Sequence, residues 1–325
     1  MNRSSAAAVP NFSRRDFIRG AGTVAVLGAL DPLSAHASEA SPATCVHVFA
    51  RPLERLSYAD TASLVAEGGY GGIDFTVRPK GGHIQPEKVE DDLPRAVEAA
   101  QKAGLKVEMI ATGIVDARPA DTERILRTAS RLGVKYYRLG VFDHDPKLGV
   151  WNSLQKLRPV FKDLADISQA HGMHGAVQNH PGVRIGAPVW DLFELFRDLD
   201  PRWIGCQYDI RHATVEGFSS WPLGLKLLAP WIRCTDIKDF RWERSARGHI
   251  AKNVPLGEGL VKFDEYFRLA RELNISGPIS VHFEYGPFER ADTPLNDPSR
   301  RPAVVAALRH DRKKLQDWMT RHRIA

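Results

Sequence analysis

Carboxylate, imidazole, amide and cationic side chains recur two residues apart at the ends of short apolar runs, a spacing that places them on one face of a β-strand. The clearest run is residues 279–285, in which Ser280, His282 and Glu284 alternate with Ile279, Val281, Phe283 and Tyr285. Asp74, Thr76 and Arg78 alternate in the same way with Ile73, Phe75 and Val77, and Glu108 and Thr112 with Val107, Met109 and Ala111. Arg138, Gln178 with His180, Gln207 with Asp209, and Asp236 with Lys238 extend the set. Carboxylates and imidazoles move protons and cations hold oxyanions, so these are parts for acid–base chemistry. Each residue alone reads equally well as a hydrogen-bonded structural partner. Together, so many ionisable groups on one inward face are too costly to keep unless they line a site.

Short β-branched or aromatic runs alternate with segments of helical period, the pattern of repeated β-α units around a parallel sheet. Strands are expected at residues 45–50, 72–77, 106–111, 135–140, 174–179, 204–209, 232–238 and 279–284. Helices are expected at 60–67, 93–102, 121–131, 154–170 and 263–272, with a terminal amphipathic helix over 302–322. Eight such units predict an α/β fold, a single (β/α)8 TIM barrel whose active face is formed by the C-terminal strand ends. Two connections, residues 78–91 and 239–262, are longer than closure needs, and both follow strand C-termini. The second, rich in Gly, Trp, Arg and Asn, reads as a flexible lid.

Residues 13–19, Ser-Arg-Arg-Asp-Phe-Ile-Arg, precede a weakly apolar run from Ala21 to Leu30 and then Ala35-His36-Ala37. That order resembles a twin-arginine export signal, implying handling by the twin-arginine machinery and a periplasmic or secreted product. Cleavage after residue 37 of 325 leaves a barrel domain over residues 38–325. The formal charge of +6 comes from basic residues scattered among acids, which argues against nucleic-acid binding. Cys45, Cys206 and Cys234 show no paired spacing, so neither a disulfide framework nor a zinc-thiolate site is expected. No apolar run reaches the roughly 18 to 20 residues that span a bilayer, so no membrane association is expected once the signal is cleaved. The sequence leaves oligomerisation open.

The strand ends resemble the xylose-isomerase-like sugar isomerase and epimerase superfamily, which includes hydroxypyruvate isomerases and ketose 3-epimerases. Residues 208–212, Tyr-Asp-Ile-Arg-His, reproduce its Asp-x-x-His spacing; Ile237-Lys238-Asp239 resembles the tail of its seventh-strand motif, and Pro255-Leu256-Gly257-Glu258-Gly259 its loop before the seventh helix. The runs 74–78, 178–180, 207–212, 238–242 and 282–285 are similar to a subgroup of exported barrels described as sugar phosphate isomerase or epimerase-like. The resemblance implies a divalent metal held from strands five to eight by Glu, Asp, His and Glu, which map here onto Gln178, Asp209, Asp236 and Glu284. Two positions depart from that pattern, Gln178 for glutamate and Asp236 for histidine. The set still offers three carboxylates and one neutral oxygen, which favours magnesium, manganese or calcium over zinc. Alternatively, Lys238 neutralises Asp236 or Glu284 in the ion's place.

The implied chemistry is proton abstraction beside the carbonyl of a sugar or sugar-derived keto compound, a small carbohydrate being the partner. Glu284 is the expected base, His212, His180 or His282 the second proton carrier, and Lys238 the oxyanion holder. Arg78, Glu108, Arg138, His180, His212 and His282 are expected to bind substrate, with Trp242 stacking on a sugar face. Glutamine takes up no proton at neutral pH, so Gln178 suits a one-base isomerisation or an elimination from a 3-keto-sugar better than a two-base epimerisation. A noncatalytic carbohydrate-binding barrel is the remaining alternative. No Gly-rich phosphate cradle stands out.

Overall fold

A computed structural model describes residues 44–246, 248–289 and 293–324 of the chain; the leader lies outside the described residues. The strands are β1 (Val46–Phe49), β2 (Gly72–Val77), β3 (Met109–Thr112), β4 (Tyr136–Arg138), β5 (His174–Gln178), β6 (Ile204–Asp209), β7 (Ile232–Ile237), β8 (Asp239–Ser245), β9 (Gly248–Val254) and β10 (Ile279–Val281). Eight of them close a barrel in the order β1, β10, β7, β6, β5, β4, β3, β2, every neighbouring pair parallel. The expected TIM barrel is therefore present, with each expected strand at its place.

The outer layer comprises α1 (Tyr58–Glu67), α2 (Val89–Lys102), α3 (Ala120–Arg131), α4 (Gly149–Ala170), α5 (Trp190–Phe196), α6 (Ile210–Gly217), α7 (Trp221–Leu228), α8 (Phe263–Glu272) and α9 (Arg301–His322). Local chemistry sets several of their ends. Ser57 caps α1 by accepting the Asp60 N–H at 3.0 Å, and Asp209 caps α6 by accepting the His212 N–H at 3.0 Å. The short helices α5, α6 and α7 went unmarked in the sequence because seven or eight residues hold too few turns to show a period. Between sheet and helices lies the main apolar core, built from outward strand-side residues such as Phe75, Tyr137, Tyr208 and Phe283 and from helix residues such as Phe161 and Phe196.

Inside the barrel, Met109, Ala176 and Cys234 form a separate apolar plug against Tyr136. This corrects the expected phase of the third strand. The backbone leaves strand geometry at residues 107 and 108, so alternation counted from Lys106 does not carry through to Met109. Glu108 consequently lies at the N-terminal mouth, where its carboxylate is 3.7 Å from His47 Nε2 and 3.9 Å from Lys106 Nζ. It is remote from the face on which the other site residues gather.

The long connection after β7 has regular structure of its own. It folds as an antiparallel ribbon, β8 paired with β9 from Asp239↔Val254 to Ser245↔Gly248. Arg211 fastens the ribbon by donating to the Ala251 carbonyl at 2.7 Å while its guanidinium lies over Phe240. At the ribbon's base, Asp239 accepts four backbone N–H groups, from Phe240, Gly257, Gly259 and Val261, at 2.8 to 3.1 Å. A Cβ at Gly259 would overlap that carboxylate, and Gly257 has φ +86, open to glycine without strain. The Lys-Asp and Pro-Leu-Gly-Glu-Gly motifs are thus the two halves of one turn.

Candidate active site

Asp209 and Asp236 are direct register partners on β6 and β7, so two carboxylates stand side by side with no accessible surface. Asp209 is fixed from both ends. Its backbone N–H donates to Asn179 Oδ1 at 2.7 Å, its carbonyl accepts from Asn179 Nδ2 at 3.0 Å, and its Oδ1 is spent on the α6 cap. Only Oδ2 remains for the site. Asp236 accepts from Gln207 Nε2 at 2.6 Å and from Gln178 Nε2 at 2.7 Å, and Gln178 Nε2 also donates to Asp209 Oδ2 at 3.0 Å. The Gln178 carbonyl oxygen accepts in turn from Arg138 Nη1 at 3.2 Å. Burial pushes the Asp209 carboxyl up despite Lys238 beside it. For Asp236 burial acts in the same direction, but His282, Arg138 and Gln207 together hold it below the usual carboxylate range.

His282 completes the floor. Its Nε2 is 3.2 Å from Asp236 Oδ1, yet both ring nitrogens are buried without a hydrogen bond. Asp209, Asp236 and His282 bring ligand atoms within 4.8 Å of one another. Adjacent buried carboxylates beside an imidazole lacking hydrogen bonds form a donor set that a hard divalent cation would satisfy. A half-turn of the Gln178 amide would present its oxygen to the same point as a fourth donor. Among the described residues, the cluster that could hold an ion thus includes His282 from the eighth barrel strand, and Glu284, expected there from the resemblance, is not part of it.

Glu284 stands farther out, where its Oε2 accepts from Asn253 Nδ2 of β9 at 3.0 Å and lies 3.4 Å from Lys238 Nζ. Lys238 is also 3.4 Å from Asp209 Oδ2, so its ammonium links the buried floor to the outer carboxylate. Burial alone would raise the Glu284 pKa, but Lys238 and His282 hold it well below the usual range. Glu284 and Lys238 open onto a cavity of about 730 Å³ at the C-terminal strand ends, lined also by Phe49, Arg78, Arg138, His180 and His282. Such a volume accommodates a sugar or a small glycoside.

Two further expectations are corrected by placement. His212 is 2% exposed and is absent from the cavity wall; its Nδ1 lies 3.1 Å from the Asn179 carbonyl and 3.2 Å from Asp209 Oδ2. It positions Asp209 because a residue three places after an N-cap turns into the first helical turn. Trp242 projects from the ribbon, 44% exposed and edge-on to Phe240, and does not line the cavity. His180 does line it, with a pKa lowered by burial and by Lys238, although the Pro181 carbonyl works the other way.

Three wall or contact residues were missed in the sequence. Phe49 stacks on His282 at 4.2 Å between ring centroids; period two along β1, with Val46 and Val48 outward, would have found it. Arg51 follows β1 and lines the same cavity. Asn253 reaches Glu284 only through the ribbon, for which the sequence carries no signal.

Residues 62–309 match the family model described as xylose isomerase-like TIM barrel. No curated protein matches the chain by sequence. Among solved structures, a D-tagatose 3-epimerase-like protein is 14% identical, superposing with TM-score 0.62 over 86% of this chain and 98% of that one. The 3-keto-D-glucoside 4-epimerase of E. coli is 14% identical, with TM-score 0.59 over 82% and 99%. A xylose isomerase-like TIM barrel protein from Mycobacterium smegmatis, solved in complex with magnesium, is 16% identical, with TM-score 0.56 over 82% and 97%. At such identities the structural likeness establishes the fold, and the family match over most of the sequence establishes membership: the chain belongs to the xylose isomerase-like TIM barrel family.

Proposed function

We propose that the protein is an exported sugar isomerase or epimerase-like enzyme that removes a proton from carbon beside the carbonyl of a sugar or sugar-derived keto compound, with a divalent ion assisting. The observation that carries this reading is the layering of the cavity floor: a buried donor cluster of Asp209, Asp236 and His282 beneath the buried Lys238 and its exposed partner Glu284. The neighbouring barrels named as epimerases, and the one solved with magnesium, point the same way. Export rests on the twin-arginine leader in the sequence.

Asp209, Asp236 and His282 would hold the ion, with the Gln178 oxygen as a fourth donor, and the bound ion would supply positive charge for a developing enediolate. Glu284, the carboxylate at the cavity surface, takes the carbon-bound proton. Lys238 orients the substrate oxygen and compensates its charge as the proton leaves. Asn253 holds the Glu284 carboxylate at its working position, 3.0 Å away. His180, on the cavity wall with Nδ1 donating to the Pro181 carbonyl, takes a hydroxyl proton from the substrate through Nε2 and gives it to the oxygen that was the carbonyl. Magnesium or manganese suits the oxygen-rich set best.

One observation favours a second reading. The fifth-strand position is an amide that donates to both buried carboxylates, so Glu284 is the one carboxylate base on the cavity surface among these strand-end residues. One base suffices for isomerisation or for elimination beside a ketone, which makes a lyase acting on a 3-keto-sugar the competing activity. Incubation with ketoses and 3-keto-glycosides in deuterium oxide separates the readings. Deuterium gained at carbon without fragmentation supports the isomerase, aglycone release supports the lyase, and neither in the metal-loaded protein would leave a binding protein.

A further inference from the structure

The cavity wall formed by β1, β2 and β4 carries positive charge that nothing in the described chain uses. Arg138 and Arg78 both lie over the Phe49 ring, their guanidinium carbons 4.6 and 5.7 Å from its centroid. Arg138 is partly engaged, with Gln178 at 3.2 Å and Asp236 at 3.9 Å. Arg78 is not. Among the described residues it has no ion pair or side-chain hydrogen bond, and its Nε is buried and unpartnered. Asp74 and Glu54 offset it only in part, for Asp74 spends Oδ2 on the Ser280 hydroxyl at 2.9 Å and burial raises its pKa to about 6.

The rest of the cavity does not restore the balance. Among the described residues, seven cationic side chains line it against three carboxylates. Of those three, Glu54 is paired with Arg51 at 3.0 Å and Glu284 with Lys238. A half-buried guanidinium beside a second one is destabilising by itself, and hydroxyl groups of a neutral sugar supply no charge to offset it. Burial and the neighbouring Arg138 pull the Arg78 pKa down to about 9, the direction expected of an uncompensated cation.

Resting on the sugar-enzyme reading above, we infer that the substrate is a sugar acid, whose carboxylate docks against Arg78 and Arg138 over Phe49 while its carbonyl end faces Lys238 and Glu284. Two guanidinium forks match the planar carboxylate by paired N–H···O bonds. Phosphate would fit the same two forks, so D-glucose 6-phosphate is the competing ligand. Phe49 stacks on His282 and lies under both guanidinium groups, so its ring braces the anion pole beside the reacting centre.

Isothermal titration of the mature protein with D-glucuronate, D-gluconate, 2-keto-D-gluconate, D-glucose and D-glucose 6-phosphate tests this. At least one of the three acids should bind ten times more tightly than D-glucose and weaken as salt is raised. Arg78→Met should weaken that acid at least tenfold, Arg78→Lys by less, and Glu108→Gln, at the N-terminal mouth, should leave it within about threefold. The melting temperature of Arg78→Met should equal or exceed that of the wild type, since a strained cation is removed; a folded variant with unchanged acid affinity overturns the inference. So does tighter Arg78-dependent binding of D-glucose 6-phosphate than of every acid, which would assign the site to phosphate. Arg78-dependent acid binding without any deuterium exchange would sink the proton-abstraction reading alone, whereas exchange into neutral keto-sugars that is indifferent to Arg78 would sink this inference alone.

Discussion

Lys238 Nζ lies 3.4 Å from Glu284 Oε2, and on its other side 3.4 Å from Asp209 Oδ2. The ammonium comes from the residue just after β7 and the outer carboxylate from the residue three places after β10, so two adjacent strands each extend one polar side chain over the buried floor. Removal of either member has different consequences. Glu284→Gln keeps the shape and deletes the base, so solvent-deuterium incorporation should fall by about 10²- to 10⁴-fold with little change in melting temperature. Lys238→Met leaves Asp209 without its cation, and urea unfolding should show a loss of roughly 2 to 4 kcal/mol together with the loss of exchange. Equal stability losses in the two variants would contradict the division of roles.

Metal dependence follows from the donor cluster. Equilibrium dialysis against manganese should give about one ion per chain, with a higher melting temperature than the chelator-treated protein. Asp236→Asn and His282→Ala should each weaken binding at least tenfold, whereas Glu284→Gln, outside the cluster, should retain the ion. Retention by His282→Ala with loss in Glu284→Gln would restore the donor set that the family resemblance implied.

Acid should weaken the fold through its buried histidines. Burial lowers the His174 pKa to about 4, although the Arg202 carbonyl opposes the shift; His47 and His83 are lowered to about 4 by the same cause. Each prefers the neutral form when folded, so its stabilising contribution is complete above the unfolded pKa near 6.5 and is lost as pH falls toward 4. Buried acids such as Asp74, raised to about 6, act in the opposite direction, so the histidine contribution is isolated by difference. Urea unfolding of wild type and His174→Gln at pH 7 and pH 4.5 should show the variant losing roughly 2 to 3 kcal/mol less on acidification.

Trp242 and Glu108 supply controls. Trp242→Ala, on the outer side of the ribbon, and Glu108→Gln, at the N-terminal mouth, should each change kcat/KM by less than about threefold. A larger loss at Trp242 would mean that the ribbon closes over substrate during turnover.

Asp239 is expected to act on stability rather than chemistry. Its carboxylate accepts four backbone N–H groups, and Asp239→Asn turns one acceptor into a donor facing them. Chemical denaturation should register a cost of about 2 to 4 kcal/mol. A variant as stable as wild type but catalytically dead would instead place Asp239 in the reaction.

Much of this molecule is legible in the order of its residues. Period two in runs such as 72–77 and 279–284 fixed which side chains enter the lumen, because alternate Cβ atoms leave a strand on opposite faces whatever the rest of the chain does. Where the backbone breaks that geometry, as at residues 107 and 108 before Met109, the rule failed and Glu108 was sent to the wrong end. The ribbon of β8 and β9 was invisible for another reason: its mostly polar, exposed faces carry no apolar alternation.

The sequence by itself determined the barrel, the face that bears the polar groups, and the identity of nearly every group at the site. Only the tertiary structure decided which of them meet. Asp209 and Asp236 stand side by side because one extra residue of β7, Arg233, shifts the β6–β7 register and sets them opposite one another; His282 rather than Glu284 reaches the cluster because it lies two residues deeper along the same strand direction; and Asn253 reaches Glu284 through a ribbon that folds back on the barrel. Such encounters depend on distances across the ring, which spacing along a single strand does not contain.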